Sequence, residues 1–241
     1  MSASLDIVSH HSLTFGQKLI PFQLTFRPKI RLSISVLPNR QVMVAAPEGQ
    51  ALEKILALVK KRAGWIAKKR NYFEQFHPLP DEKRFISGET HLYLGRQYRL
   101  KLQDSEARGV KLVGKYFQIS VKEVDREKVK ATLDAWYMKR AEKLFIDKVD
   151  WFLKSQPSLR LTPKKITIRR MTKRWGSCTK AGSILLNIDL IKAPLHCIEY
   201  VIAHELCHLR IHDHSPAFYR LLSRLMPDWE KRKSRLDGFV L

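Results

Sequence analysis

Ile198-Glu-Tyr-Val-Ile-Ala-His204-Glu205-Leu206-Cys207-His208-Leu209 reads as a helix with core on one side and chemistry on the other. At 100° per residue, Ile198, Ile202, Leu206 and Leu209 form an apolar stripe, with His204 and His208 centred about 140° away beside Cys197 and Val201. Residues i and i+4 stack on one helix face, so two imidazoles can grip a single metal ion. Glu205 then stands beside the open coordination position, able to take a proton from water acidified by that ion. Cys207 lies about 80–100° round the helix from the histidines and is a packing residue.

A catalytic zinc keeps three protein ligands. His212 continues the i, i+4, i+8 column, yet on a straight helix it sits ~12 Å from His204, too far to share an ion. His214 follows an expected chain reversal at Asp213-His214-Ser215-Pro216, where the proline disfavours helical geometry at Ser215. His214 is the expected third ligand, with His212 and Glu230 as lesser candidates. Ile211 stands where HExxHxxGxxH enzymes carry glycine, so the chain is not a metzincin.

Upstream, Arg169, Arg170, Lys173 and Arg174 lead into Trp175-Gly176-Ser177-Cys178. Gly176 lets a backbone pass close to a ligand or a neighbouring strand, and Trp175 can wall a pocket. Arg174, Trp175, Gly176, Ser177, Arg169 and Arg170 are therefore the candidate substrate-binding residues. Cys178 fits a small buried residue better than a nucleophile.

The rest of the chain reads as α+β. Phe22-Gln-Leu-Thr-Phe26 and Leu32-Ser-Ile-Ser-Val36 alternate as strands, and Pro38-Asn39-Arg40 turns the chain into Val42-Met-Val44. Leu52, Ile55, Leu56, Val59, Ala63 and Ile66 predict one amphipathic helix over roughly 50–76, broken by His77-Pro78-Leu79-Pro80. Alternation returns over 85–122, and a long helix follows over 126–154. Lys165–Arg169 and Ser183–Ile188 read as strands flanking the Trp175 segment, the latter a candidate edge for an extended substrate. Helices begin at Pro194 and after Ser215-Pro216. No internal repeat is visible. The expected plan is a β-rich N-terminal region with a helix (1–125), then a zincin-like domain (126–241) with the HExxH helix and a small antiparallel sheet.

The chain has 241 residues, 45 Lys plus Arg against 23 Asp plus Glu, and a net charge of +22. At 44% hydrophobic it is too apolar for a disordered basic tail. No run approaches the ~18–20 apolar residues needed to span a bilayer. Met1–Asp6 lacks a basic region followed by an apolar one, and three cysteines are too few for a disulfide scaffold. A cytoplasmic protein without a membrane association is expected. The positive field favours phosphates and permits nonspecific nucleic-acid affinity, but no zinc-finger or RNP-like spacing accompanies it.

Arg174-Trp-Gly-Ser-Cys178, Leu186-Asn187-Ile-Asp-Leu190, Pro194, Glu199 through Leu209, His214-Ser-Pro-Ala-Phe218 and Pro227-Asp228 together resemble the YgjP-like metallopeptidase-domain family. Ala46-Pro47, Trp65-Ile66, Gly88-Glu89 and Leu94-Gly95 extend the resemblance over about 20–237. The family is related to SprT-like and wider gluzincin-type zinc peptidases. The resemblance implies His204, His208 and His214 as ligands for Zn2+ or another divalent transition metal, with Glu205 as catalytic base. It departs at Asp213, where the family usually has Asn, which places a carboxylate near His212 and the site. The expected activity is hydrolysis of a peptide or protein. Two alternatives are hydrolysis of a nucleotide or phosphoanhydride held by the basic tract, and a nucleic-acid-associated protease module of the SprT-like kind.

Overall fold

The structure, a computed structural model, describes residues 8–28, 31–37, 39–74, 83–172 and 174–239. Met1–Asp6, Pro38, the 77–80 helix break and Lys173 lie outside the described residues. The chain forms two compact units, one containing the described residues to 74 and the other those from 83 to 239.

In the first unit, strands β1 (Val8–Phe15), β2 (Lys18–Arg27), β3 (Ser33–Val36) and β4 (Val42–Pro47) form a sheet in the order β1-β2-β4-β3. The central pair β2/β4 is parallel and the outer pairs are antiparallel. Period-2 alternation puts Ile20, Phe22, Leu24, Val42, Val44 and Ala46 on one face, each at most 2% exposed. Ile55, Val59, Ala63 and Ile66 cover that face. They come from two helices, α1 (Leu52–Lys61) and α2 (Ala63–Glu74), where the sequence predicts one. The Arg62 amide turns back to the Leu58 and Val59 carbonyls, and Gly64, a poor helix former, follows. The apolar stripe runs through the break.

The second unit begins with β5 (Thr90–Tyr93), β6 (Arg96–Asp104), β7 (Gly109–Val113) and β8 (Tyr116–Val121), ordered β5-β6-β8-β7 with a parallel β6/β8 pair. This is the strand order and pairing of the first sheet, again followed by helix. It is a topological repeat that the residues themselves do not announce. These strands pack on α3 (Arg126–Ser155), whose inward positions Val129, Leu133, Tyr137, Ala141, Phe145, Val149 and Phe152 are buried. The Asp125 side chain accepts from the Glu127 and Lys128 amides and starts that helix. β5–β8 and α3 share one core and fall in one compact unit, across the region boundary expected at 125/126.

A third sheet contains β9 (Lys165–Arg169), β10 (Gly176–Cys178) and β11 (Ser183–Asn187), in the order β10-β11-β9. It is mixed rather than wholly antiparallel, because β9 runs parallel to β11. The strand over 183–187 is therefore central, and β10 is the edge. Helices α4 (Leu195–Cys207), α5 (Pro216–Leu225) and α6 (Trp229–Asp237) complete the unit. No described helix is long and apolar enough to cross a membrane.

Two devices position α4. The β5–β6 turn is Leu94-Gly95, both at positive φ (50° and 77°), and its amides donate to the Ile191 and Lys192 carbonyls at 3.0 Å. A Cβ on Gly95 would meet Pro194 Cγ at 2.8 Å, so only glycine lets the turn close on the start of α4. Further along, the Glu199 carboxylate of α4 accepts from Lys148 Nζ of α3 at 2.7 Å and Arg232 Nη1 of α6 at 2.6 Å.

Burial pushes the Glu199 carboxyl up, but these two cations outweigh it and hold its pKa below the ordinary value. Glu199→Ala should cost about 2 kcal/mol, read as a lower urea midpoint at unchanged m. A depressed folded pKa gives stability that is full above the unfolded value of about 4.3 and fades as pH falls through the folded pKa. The wild-type advantage should therefore shrink in acid below about pH 4.

Candidate metal centre

Helix α4 is largely buried: Cys197, Ile198, Tyr200, Val201, Ile202, Ala203, Leu206 and Cys207 all lie in the core, Leu209 being only partly so. Leu195 and His196 in its first turn are exposed, and Glu205 and the partly buried His204 sit on its enclosed stretch. The helix stops at Cys207 with His208 as its cap residue, which ends the i, i+4, i+8 column before His212. The Leu209, Arg210 and Ile211 amides turn back onto Leu206 and Cys207. Asp213 Oδ1 then accepts from the Ser215 amide at 3.3 Å, and α5 begins with Pro216 in its first turn. Asp213 thus shapes the reversal that returns His214.

The result is a convergent triad. His204 Nε2 lies 3.2 Å from His208 Nε2 and 3.1 Å from His214 Nε2. The ligand atoms of all three lie within 4.8 Å of one another, the only such cluster among the described residues. Tetrahedral zinc with bonds of about 2.0–2.1 Å spaces its nitrogens by about 3.3 Å, so the donors fit a metal ion. His208 Nδ1 faces the Ile211 carbonyl at 2.9 Å, which places its proton there and leaves the Nε2 lone pair for the ion. Burial, aided by the neighbouring imidazoles, drives the His204 pKa down to about 3, and burial also lowers that of His208. Both are neutral ligands at physiological pH. His212 is exposed and, like Glu230, stands outside the cluster.

Phe218, fully buried, is the floor of the triad. Its ring stacks on His208 at 4.6 Å and meets His204 and His214 edge-on at 4.9 Å. Sequence spacing gave no sign of this role, because Phe218 reaches His204 only after the chain has reversed.

Glu205 is 5% exposed, and its Oε2 has no hydrogen-bond partner among the described residues. Burial pushes its carboxyl up to about 8, against the pull of the Arg174 charge. A Cβ on Gly176 would lie 2.6 Å from Glu205 Oε1 and 2.7 Å from its Cγ. The close neighbour of Gly176 is thus the Glu205 carboxylate, rather than the ligand or neighbouring strand expected from the sequence.

Asn187 holds the loop that delivers Gly176. Fully buried, it donates through Nδ2 to the Met171 and Arg174 carbonyls and accepts through Oδ1 from the Met171 and Asp189 amides. Its own amide donates to the Trp175 carbonyl. Trp175 packs partly buried against the core, while Gly176 and Ser177 lie in β10. Arg174 is exposed with its charge felt at Glu205, and Arg169 is exposed at the end of β9. Arg170 is committed elsewhere, to Asp134 at 2.9 Å and Asp189 at 3.6 Å. Cys178 and Cys207 are free thiols with pKa values raised by burial, the latter to about 12, so neither is a thiolate.

Three imidazoles brought together from helix α4 and the reversal after it, with Glu205 next to His204 in the chain, form a possible metal site of the kind a metallopeptidase domain carries. The chain belongs to the YgjP-like metallopeptidase domain family, which it matches over residues 30–239. No curated protein and no solved structure matches it.

His214→Ala should abolish stoichiometric binding of Zn2+ or Co2+, whereas His212→Ala and Glu230→Ala should leave it intact. Metal analysis after dialysis distinguishes the three.

Proposed function

We propose that the protein is a zinc-dependent peptidase in which Glu205 is the general base and an extended polypeptide lies along β10. The observation that carries this reading is the contact of Gly176 with Glu205. It joins a sheet edge to the reactive carboxylate with no side chain between them. The outer side of β10 has no strand partner among the described residues, so its backbone groups suit β-augmentation by a substrate chain.

His204, His208 and His214 would hold a divalent ion, which would supply Lewis acidity to polarise a carbonyl and acidify water. Glu205 takes the proton from the attacking water and delivers it to the departing amine nitrogen as the C–N bond breaks. Phe218 and the Ile211 carbonyl hold the imidazoles in place while this happens. Beside His214, Pro216, Tyr219 and Trp229 line an open groove of about 1000 Å3, with the two aromatic rings stacked at 5.2 Å. Such walls suit an apolar substrate side chain. Nucleotide hydrolysis would use two or more of Arg169, Arg170, Lys173 and Arg174 as a phosphate clamp, and the pairing of Arg170 with Asp134 and Asp189 removes one of the four.

With the metal-loaded protein and casein as substrate, Glu205→Gln should retain the ion and lose about 10²–10⁴-fold in turnover. Gly176→Ala, which displaces the same carboxylate, should lose about 10²-fold with metal content unchanged. Turnover of nucleoside triphosphates without casein cleavage contradicts the peptidase reading.

A further inference from the structure

A dense positive stretch of the chain lies in the first unit, outside the unit that carries the histidine triad. Lys60, Lys61, Arg62, Lys68, Lys69 and Arg70 fall between Glu53 and Glu74 with no acidic residue among them. The core takes Ile55, Val59, Ala63 and Ile66 from α1 and α2. Leu58, Lys61, Arg62 and Trp65 share the outward face, spaced i, i+3, i+4, i+7. Trp65 and Leu58 are each 42% exposed. With Arg31, Leu32 and Pro47 they line a groove of about 610 Å3. One turn beyond Trp65, Lys68 is exposed and the Lys69 ammonium lies 5.1 Å over the Tyr72 ring. Arg31, Lys61, Arg62 and Lys68 have no ion-pair partner among the described residues.

We propose that this face binds single-stranded nucleic acid, with Trp65 stacking on a base and Arg31, Lys61, Arg62 and Lys68 holding the phosphates on either side. Base–aromatic stacking inside a basic groove is how sequence-independent binders of single strands work, and every base offers the π-face it needs. A duplex hides those faces. A protein partner is less well matched: the apolar area is one indole with Leu32, Leu58 and Pro47 around it, too small to seat a helix, while the surrounding charge is dense and of one sign. The proposal does not rest on the peptidase reading, and its test does not use catalysis.

The test is fluorescence anisotropy of the full chain with a labelled oligo-dT of roughly 20 nucleotides, titrated over a range of salt. Trp65→Ala should weaken binding by at least about fivefold without changing the salt slope, and Trp65→Phe should restore most of it. The double variant Lys61→Gln, Arg62→Gln should lower the slope by about 1.4, at about 0.7 per phosphate contact. Lys139→Gln with Lys143→Gln, the same charge change at exposed positions of α3, should leave the slope unaltered. Equal slope losses from both pairs would reduce the effect to the general field of a basic protein and overturn the proposal. So would absence of oligonucleotide binding, or wild-type affinity in Trp65→Ala. Poly-glutamate that displaces the oligonucleotide and itself depends on Trp65 would assign the face to acidic proteins instead, and equally overturn it.

Discussion

Ionisable groups on a largely buried helix are the constraint around which the second unit is built. Desolvation, with the neighbouring imidazoles, takes the basicity of His204 down to about 3, and desolvation raises the Glu205 carboxyl to about 8. Such groups persist only where the surroundings are fixed, and each neighbour contributes. Phe218 seats the three rings, Gly176 leaves room for the carboxylate, and Asn187 satisfies the loop that brings Gly176 there. Lys148 and Arg232 hold the helix from two sides through Glu199. A cation bound there would offset the cost of burying the donors and couple folding to metal binding in this unit.

What was legible in the sequence was local. The i, i+4 pair and its Glu follow from helix geometry, and the reach to His214 follows from a proline that forbids continuing the helix. The α3 stripe declared its length of seven or more turns through unbroken periodicity. What was hidden was tertiary. A strand as short as Gly176–Cys178 carries no alternation to detect, so the expected edge is 183–188, where the parallel pairing with β9 makes β11 central. Nothing in residues 85–122 states that they share a core with α3. Asn187 and Phe218 act on partners far along the chain or across a reversal.

The two four-stranded sheets share one topology, with outer hairpin pairs flanking a parallel central pair. Their helices serve different ends. In the first unit α1 and α2 bury one stripe and leave a basic aromatic face outward, whereas in the second α3 is built into the core that carries the metal helix. A common scaffold therefore supports a charged surface in one case and a desolvated centre in the other.

X-ray absorption at the zinc edge of the metal-loaded protein tests the central claim most directly. The account predicts a first shell of nitrogen and oxygen at about 2.0–2.1 Å with the outer-shell pattern of three imidazoles. That pattern should fall to two in His214→Ala measured with excess metal. A sulfur scatterer at about 2.3 Å, or an unchanged imidazole pattern in that variant, would contradict it.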